Sequence, residues 1–179
     1  MTTCSNAFEL AALCAAWPPA SADVGELRRR AAIVDWDVFS KIVRRHRVAS
    51  VVDAGLRNAG LGVPAPVRDA ARSSAFVALR HTAETYRIQA AAKAAKMEVV
   101  FLKGPALAQE AFGDCGMRHS KDIDLLVAPA DRERSWSLMA TEGYNRRNPG
   151  PGATPEQLAL FVKRCKDSTF HHPVSAVEV

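Results

Sequence analysis

The chain has 179 residues, 48% of them hydrophobic and 24% charged, which is enough apolar side chain to bury a core in one domain or in two small lobes. That balance excludes a disordered tail, a collagen-like repeat and a low-complexity segment, and no apolar run approaches the length of a membrane span. A formal charge of +5 favours polyanionic ligands such as nucleotides, although Arg28-Arg29-Arg30 and Arg44-Arg45-His46-Arg47 fall in helical segments and read first as solvated faces.

In chain order, residues 5 to 16 form a first amphipathic helix stopped by Pro18-Pro19. The start has the small and apolar residues of a signal peptide but no basic n-region, and Glu9 interrupts the apolar stretch, so a cytoplasmic protein is expected. Its four cysteines, Cys4, Cys14, Cys115 and Cys165, form no paired motif and read as free thiols. A second helix covers 22 to 32 with Ser21 as its N-cap. "DWDVFSKIVRRHRV" places Trp36, Phe39, Ile42 and Val43 at helical spacing, and a further helix ends at Gly60. One long helix then runs to Lys96 with Pro66 near its first turn. Val67, Ala71, Ala75, Leu79, Thr82, Tyr86, Ala90 and Ala94 are expected to make its packed stripe.

After Lys96 the period changes. "EVVFL" (98 to 102) is a short strand, broken by Lys103-Gly104-Pro105, and a helix follows from Ala106 to Phe112. "DIDLLV" is a second strand, and a helix ends at Gly143. "NRRNPGPGATP" reads as a loop, 155 to 165 as a helix, and the last residues as a hairpin around Pro173-Val174-Ser175. The order predicts an α+β chain, with a helical lobe over 1–96 and a small mixed sheet with flanking helices over 97–179, packed as one unit. The final strand stops without a cap, which points to a chain shortened at its C-terminus.

Chemistry concentrates between residues 98 and 128. Residues two apart on a strand share a face, so Asp122 and Asp124 are presented together while Ile123, Leu125 and Val127 fill the core. Two adjacent carboxylates repel, and a divalent cation between them relieves the cost. Oxygen-only ligands on a strand suit Mg²⁺, which completes its shell with water and phosphate, and two such ions would clamp an in-line phosphoryl displacement. Upstream, a strand ends in Lys103-Gly104 and a helix starts at Pro105, a residue favoured at the first helical position. Gly104 lets a ligand approach the backbone, the free N–H groups of Ala106 and Leu107 face an anion, and Lys103 adds a positive charge.

"LKGPALAQEAFGDCGMRHSKDIDLLV" resembles the nucleotidyltransferase superfamily that includes DNA polymerase beta, the CCA-adding enzymes and the aminoglycoside nucleotidyltransferases. More narrowly it looks like an uncharacterised bacterial nucleotidyltransferase family with an LKG…R…DIDLLV pattern behind a helical region. The resemblance covers residues 98 to 128. It implies that Gly104 lies in the glycine motif that holds a triphosphate, that Asp122 and Asp124 hold two Mg²⁺, and that Arg118 faces phosphate or orders the loop. It implies a third carboxylate from a neighbouring strand, for which Glu178 in the closing "AVEV" is the candidate. One departure is plain: the serine usual in the glycine motif is absent from Lys103-Gly104-Pro105.

Simpler readings stand beside these. Lys103 could be a surface lysine, Arg118 an ion-pair partner of the aspartates, Glu178 an exposed strand residue, and His119 a loop histidine. Lys166 could reach a phosphate. His171 and His172, being adjacent on a strand, point to opposite faces and cannot bind one ion together. Trp17, Trp36 and Trp136 read as core or interface anchors. The expected function is transfer of a nucleoside monophosphate from a Mg²⁺-bound nucleoside triphosphate (NTP) such as ATP to a hydroxyl on a small molecule, peptide or protein, without membrane or nucleic acid as partner. The alternative is a nucleotide-binding or protein-interaction module of the same fold that has lost turnover.

Overall fold

The computed structural model describes residues 3–18, 23–164 and 167–179. The helices are α1 (Thr3–Cys14), α2 (Val24–Ala31), α3 (Trp36–His46), α4 (Ala49–Asn58), α5 (Ala65–Ala94), α6 (Pro105–Phe112), α7 (Arg132–Thr141) and α8 (Pro155–Arg164). The strands are β1 (Val99–Phe101), β2 (Leu125–Val127), β3 (Asn145–Asn148) and β4 (Thr169–His171). The α+β class expected from the sequence is therefore the class observed. By compactness the chain divides into two units, one of residues up to Leu79 with Leu107–Ser120, the other of Arg80–Ala106 with Lys121–Val179. The change of period at residue 96 thus marks where strands begin, and the compact units divide the chain elsewhere. Among the described residues, no helix is long and apolar enough to cross a membrane.

The first unit packs α1 to α4 around Leu10, Leu27, Phe39, Val43, Val52 and Leu56, all essentially inaccessible to solvent. Two helix starts are capped by aspartates. Asp23 accepts from the Glu26 N–H at 3.0 Å, and Asp35 accepts from the N–H groups of Asp37 and Val38 at 3.0 Å, satisfying donors that a helix start leaves open. Ser21, expected in the first of these roles, lies outside the described residues, as do Pro19, Lys166 and Cys165. The arginine clusters complement the negative ends of α2 and α3, and Arg28 also donates to the Ala59 carbonyl through Nε and Nη2 at 3.2 and 3.0 Å. Trp17 meets Phe112 edge-on, with ring centroids 5.1 Å apart, and Trp36 meets Phe39 likewise.

Gly55 decides how closely α4 approaches α1. A Cβ built there would lie 2.1 Å from the Cys14 carbonyl oxygen, and backbone cannot yield as a flexible side chain can. The Gly55→Ala variant is therefore expected to lose about 2 kcal/mol or more of stability, read from the midpoint of a urea unfolding curve.

Along α5 the buried positions are Val67, Ala78, His81, Ile88 and Ala92, whereas Leu79 is 60% and Tyr86 67% exposed. This corrects the stripe read from the sequence. Steps of mostly four residues overrun the helical repeat of about 3.6, so a stripe from Val67 to Ala94 drifts about half a turn off the packed face.

In the second unit β1 and β2 pair antiparallel, with Val99 opposite Val127 and Phe101 opposite Leu125. β3 and β4 also pair antiparallel, with an irregularity between Arg146 and Asn148. The segment 177–179 joins the two pairs. The Ile123 N–H donates to the Glu178 carbonyl at 2.9 Å, and Phe170 and Val179 exchange backbone hydrogen bonds at 2.8 and 2.9 Å. The order across is then β1, β2, 177–179, β4, β3. Residues 145–148, expected as loop, are a strand because β4 supplies their ladder and Arg146 stacks its guanidinium over Trp136 at 4.4 Å. The core beneath contains Ile88, Met139, Tyr144 and Phe170.

Tyr144 and Arg87 both donate to Glu84, the guanidinium at 2.7 Å, and Arg87 also reaches the Glu142 carbonyl at 2.9 Å. Burial by itself raises a carboxyl, but these hydrogen bonds and the Arg87 charge outweigh it and hold Glu84 below its ordinary range. Burial and the Glu84 carboxylate push the Tyr144 hydroxyl up. A carboxyl lowered in the folded state adds stability that is present above its unfolded value near ~4.3 and is lost as pH falls through the folded value. Glu84→Gln is expected to cost about 1–3 kcal/mol at pH 7, and the gap to the native chain should narrow markedly in urea titrations near pH 3.

Candidate active site

β2 and the residues leading into it show why two negative charges open a strand. Ile123 is 2% exposed while Asp122 is exposed and Asp124 half-buried, so alternation buries the isoleucine and turns both carboxylates to the other face. β1 arrives antiparallel, and the Leu102 N–H donates to the Asp124 carbonyl at 3.0 Å. The chain then turns through Gly104, whose φ of 68° lies in the left-handed region, and enters α6 with Pro105 as its first residue. Gly104 is itself buried. A side chain there would meet both the left-handed penalty and a closed environment.

Lys103 Nζ lies 3.1 Å from Asp124 Oδ2, with both side chains partly in solvent. The lysine expected to contact phosphate thus already neutralises one of the two aspartates. Glu178 stands directly opposite Asp122 in a parallel bridge. Asp122, Asp124 and Glu178 all line a cavity of about 160 Å³ whose walls include Ile123, Leu125, Leu138 and Phe170. Asp167, Ser168 and Thr169 line it too. Sequence reasoning passed over this last trio, because "KDST" ahead of a strand carries no signal beyond that of a loop. Ser168 also accepts from Trp136 Nε1 at 3.1 Å, which ties the cavity wall to α7.

The second unit therefore brings Lys103, Gly104, Asp122, Asp124 and Glu178 together. Arg118 is half-buried, follows a short turn at Cys115–Met117, and belongs with His119 to the first unit. His172 and His171 part company as expected: His172 Nδ1 accepts from the Ser175 N–H at 3.0 Å and its ring meets Tyr144 edge-on. Among the described residues, no group of three or more His, Cys, Asp or Glu side chains is placed to hold a metal ion. Magnesium is satisfied by one or two carboxylates when water and phosphate complete its shell, and the aspartate pair at the cavity fits that partial role.

A carboxylate pair leading into a strand, beside a glycine turn that opens a helix, is the arrangement expected from the sequence for a nucleotidyl-transfer site. The chain belongs to that class: the family model described as uncharacterised nucleotidyltransferase matches residues 33–179. No curated protein and no solved structure matches the chain. The match takes in the sheet, the glycine turn and most of the helices, well beyond the stretch of 98 to 128 that carries the motifs.

Gly104→Ala isolates the backbone demand of the turn. Forcing a Cβ into the left-handed region is expected to cost about 1–2 kcal/mol, seen as a lower urea midpoint with an unchanged slope.

Proposed function

We propose that the chain transfers a nucleoside monophosphate from a Mg²⁺-bound nucleoside triphosphate to an acceptor hydroxyl, releasing pyrophosphate. The observation that carries this is the grouping of Asp122, Asp124 and Glu178 on one face of the sheet, with Glu178 bridged to Asp122, beside the left-handed turn at Gly104, in a chain of a nucleotidyltransferase family. Asp122 and Asp124 would hold the ion, with water and phosphate completing its shell, and Glu178 would stand beside them across the backbone bridge. When bound, Mg²⁺ supplies charge neutralisation at the α-phosphate and lowers the acceptor hydroxyl's pKa.

The rest is work for the chain's own groups. The turn at Gly104 and the Ala106 N–H at the start of α6 receive the β- and γ-phosphates, because a helix start offers unpaired donors and a positive dipole end. Lys103 exchanges its carboxylate partner for phosphate when the nucleotide enters, and so leaves Asp124 free to serve as a ligand. The acceptor oxygen forms a bond to the α-phosphorus, the bond from that phosphorus to the oxygen bridging to the β-phosphate breaks, pyrophosphate leaves, and the hydroxyl proton passes to water. Catalysis of this kind rests on positioning and charge stabilisation, with no side-chain nucleophile.

A second reading, a nucleotide-binding module without turnover, draws on two observations: the Lys103–Asp124 ion pair and the missing serine in the glycine motif. Titration of Mg²⁺-ATP and Mg²⁺-GTP against the native chain and an Asp122→Ala/Asp124→Ala variant, with pyrophosphate followed in parallel, tests both. The transfer reading expects metal-dependent binding that weakens at least about tenfold in the double variant, and pyrophosphate release once hydroxyl acceptors are added. Binding with no release across acceptors selects the module. Equal binding by native chain and variant would sink both readings.

A further inference from the structure

In an in-line displacement the attacking and leaving oxygens lie on opposite sides of the phosphorus. In the reading above, on which this inference rests, the leaving pyrophosphate lies at Gly104, at the end of β1. The β1–β2 register sets Leu102 level with Asp124, and so brings the Gly104 turn level with Asp122. Crossing the sheet from there, Asp122 pairs with Glu178, Glu178 with His171, and His171 with Asn145. Directly paired residues project to the same face. Their neighbours in sequence, Ile123, Val177, Phe170 and Tyr144, are all buried, which assigns Asp122, Glu178, His171 and Asn145 to the opposite face as one row. Adjacent strands lie about 4.8 Å apart, so the side away from the leaving group is taken first by Glu178 and then by His171 and Asn145.

Phe170 and Val179 exchange both backbone hydrogen bonds, so the next pair, His171 and Glu178, is of the non-hydrogen-bonded kind. Its Cβ atoms stand about 4.5–5.5 Å apart. His172 is occupied by Ser175 and Tyr144 on the other face. His171 has no such engagement at Nδ1, which is buried without a hydrogen-bond partner among the described residues. A ring nitrogen left unpaired is costly; the ring itself is only half-buried, and a turn about its second side-chain torsion presents that nitrogen to a ligand hydroxyl, which removes the cost.

We propose that His171, with Asn145 beside it, binds the acceptor, and that the acceptor is a polyol such as a sugar or sugar alcohol. Imidazole and carboxamide each offer a donor and an acceptor, as a hydroxyl does. The row contains no apolar member to receive a hydrocarbon or phenyl body. The exposed apolar side chains at this sheet, Val100, Leu102 and Leu126, stand on β1, directly after it and on β2, the leaving-group side. His171 holds the hydroxyl-bearing group in line and takes no part in bond breaking.

The test uses the full chain with Mg²⁺ and α,β-methylene-ATP, which cannot release pyrophosphate. Methyl glucoside, glycerol and inositol are compared with 1-propanol and phenol, following the ring-nitrogen NMR signals of ¹⁵N-histidine-labelled protein and saturation transfer to each alcohol. At least one polyol is expected to shift the His171 signals. Its Kd should weaken about tenfold or more in His171→Ala and largely recover in His171→Gln, while the Kd of the nucleotide analogue moves by less than about twofold, the difference that a merely structural role would erase. The inference is overturned if no polyol shifts His171, if propanol or phenol does so as strongly, or if His171→Ala weakens analogue and polyol alike. Failure of the analogue to bind the native chain would instead bring down the transfer reading, and this inference with it.

Discussion

The second unit depends on what the backbone of Glu178 does. One residue accepts from Ile123 on one side and faces His171 on the other, and so turns two separate strand pairs into one continuous sheet. Sheets of two strands are marginal on their own. Coupling them through 177–179 lets Ile123, Val177 and Phe170 share one buried face. The same bridge places the Glu178 side chain beside Asp122, so the contact that completes the sheet also completes the row of polar groups on its other face.

That economy has an electrostatic side. Asp122, Asp124 and Glu178 concentrate negative charge on one face of the sheet, where like charges repel. Lys103 offsets part of this through Asp124. A carboxylate neutralised by a mobile lysine is held ready without being committed, since an exposed pair of this sort contributes little and exchanges easily. The demand for glycine at residue 104 belongs to the same corner: the chain must reverse from strand into helix within three residues, and the left-handed conformation does so.

Much of this was legible in the sequence, for reasons that can be named. Asp-Ile-Asp reads as alternation because a strand has a period of two, and the buried Ile123 bears it out. Lys-Gly-Pro reads as a strand end and helix start because glycine and proline have narrow conformational meanings. The failures are equally physical. "NRRN" carries no alternation, and only pairing with β4 makes it a strand. In α5 the many alanines mark no face, so spacing alone had to choose one, and the choice drifted. α3 ends at Arg47 in the left-handed conformation, with its N–H returning to the Arg44 and Val43 carbonyls, where no glycine announces the stop. The row from Asp122 to Asn145 joins residues far apart in the chain, and strand order, which composition does not encode, is what assembles it.

The close approach of α4 to α1 has a bearing on how the first unit could be watched in motion. Cys14, whose carbonyl oxygen faces Gly55, is 1% exposed, and burial pushes its thiol up to about 12. A thiol that is both inaccessible and protonated does not react with alkylating reagents until the helices around it part. Cys4 is exposed on the same helix and reacts without that delay. One helix therefore carries a fast thiol and a gated one, and the ratio of their labelling rates is a clock, set by the chain itself, for how often the packing of α1 comes undone.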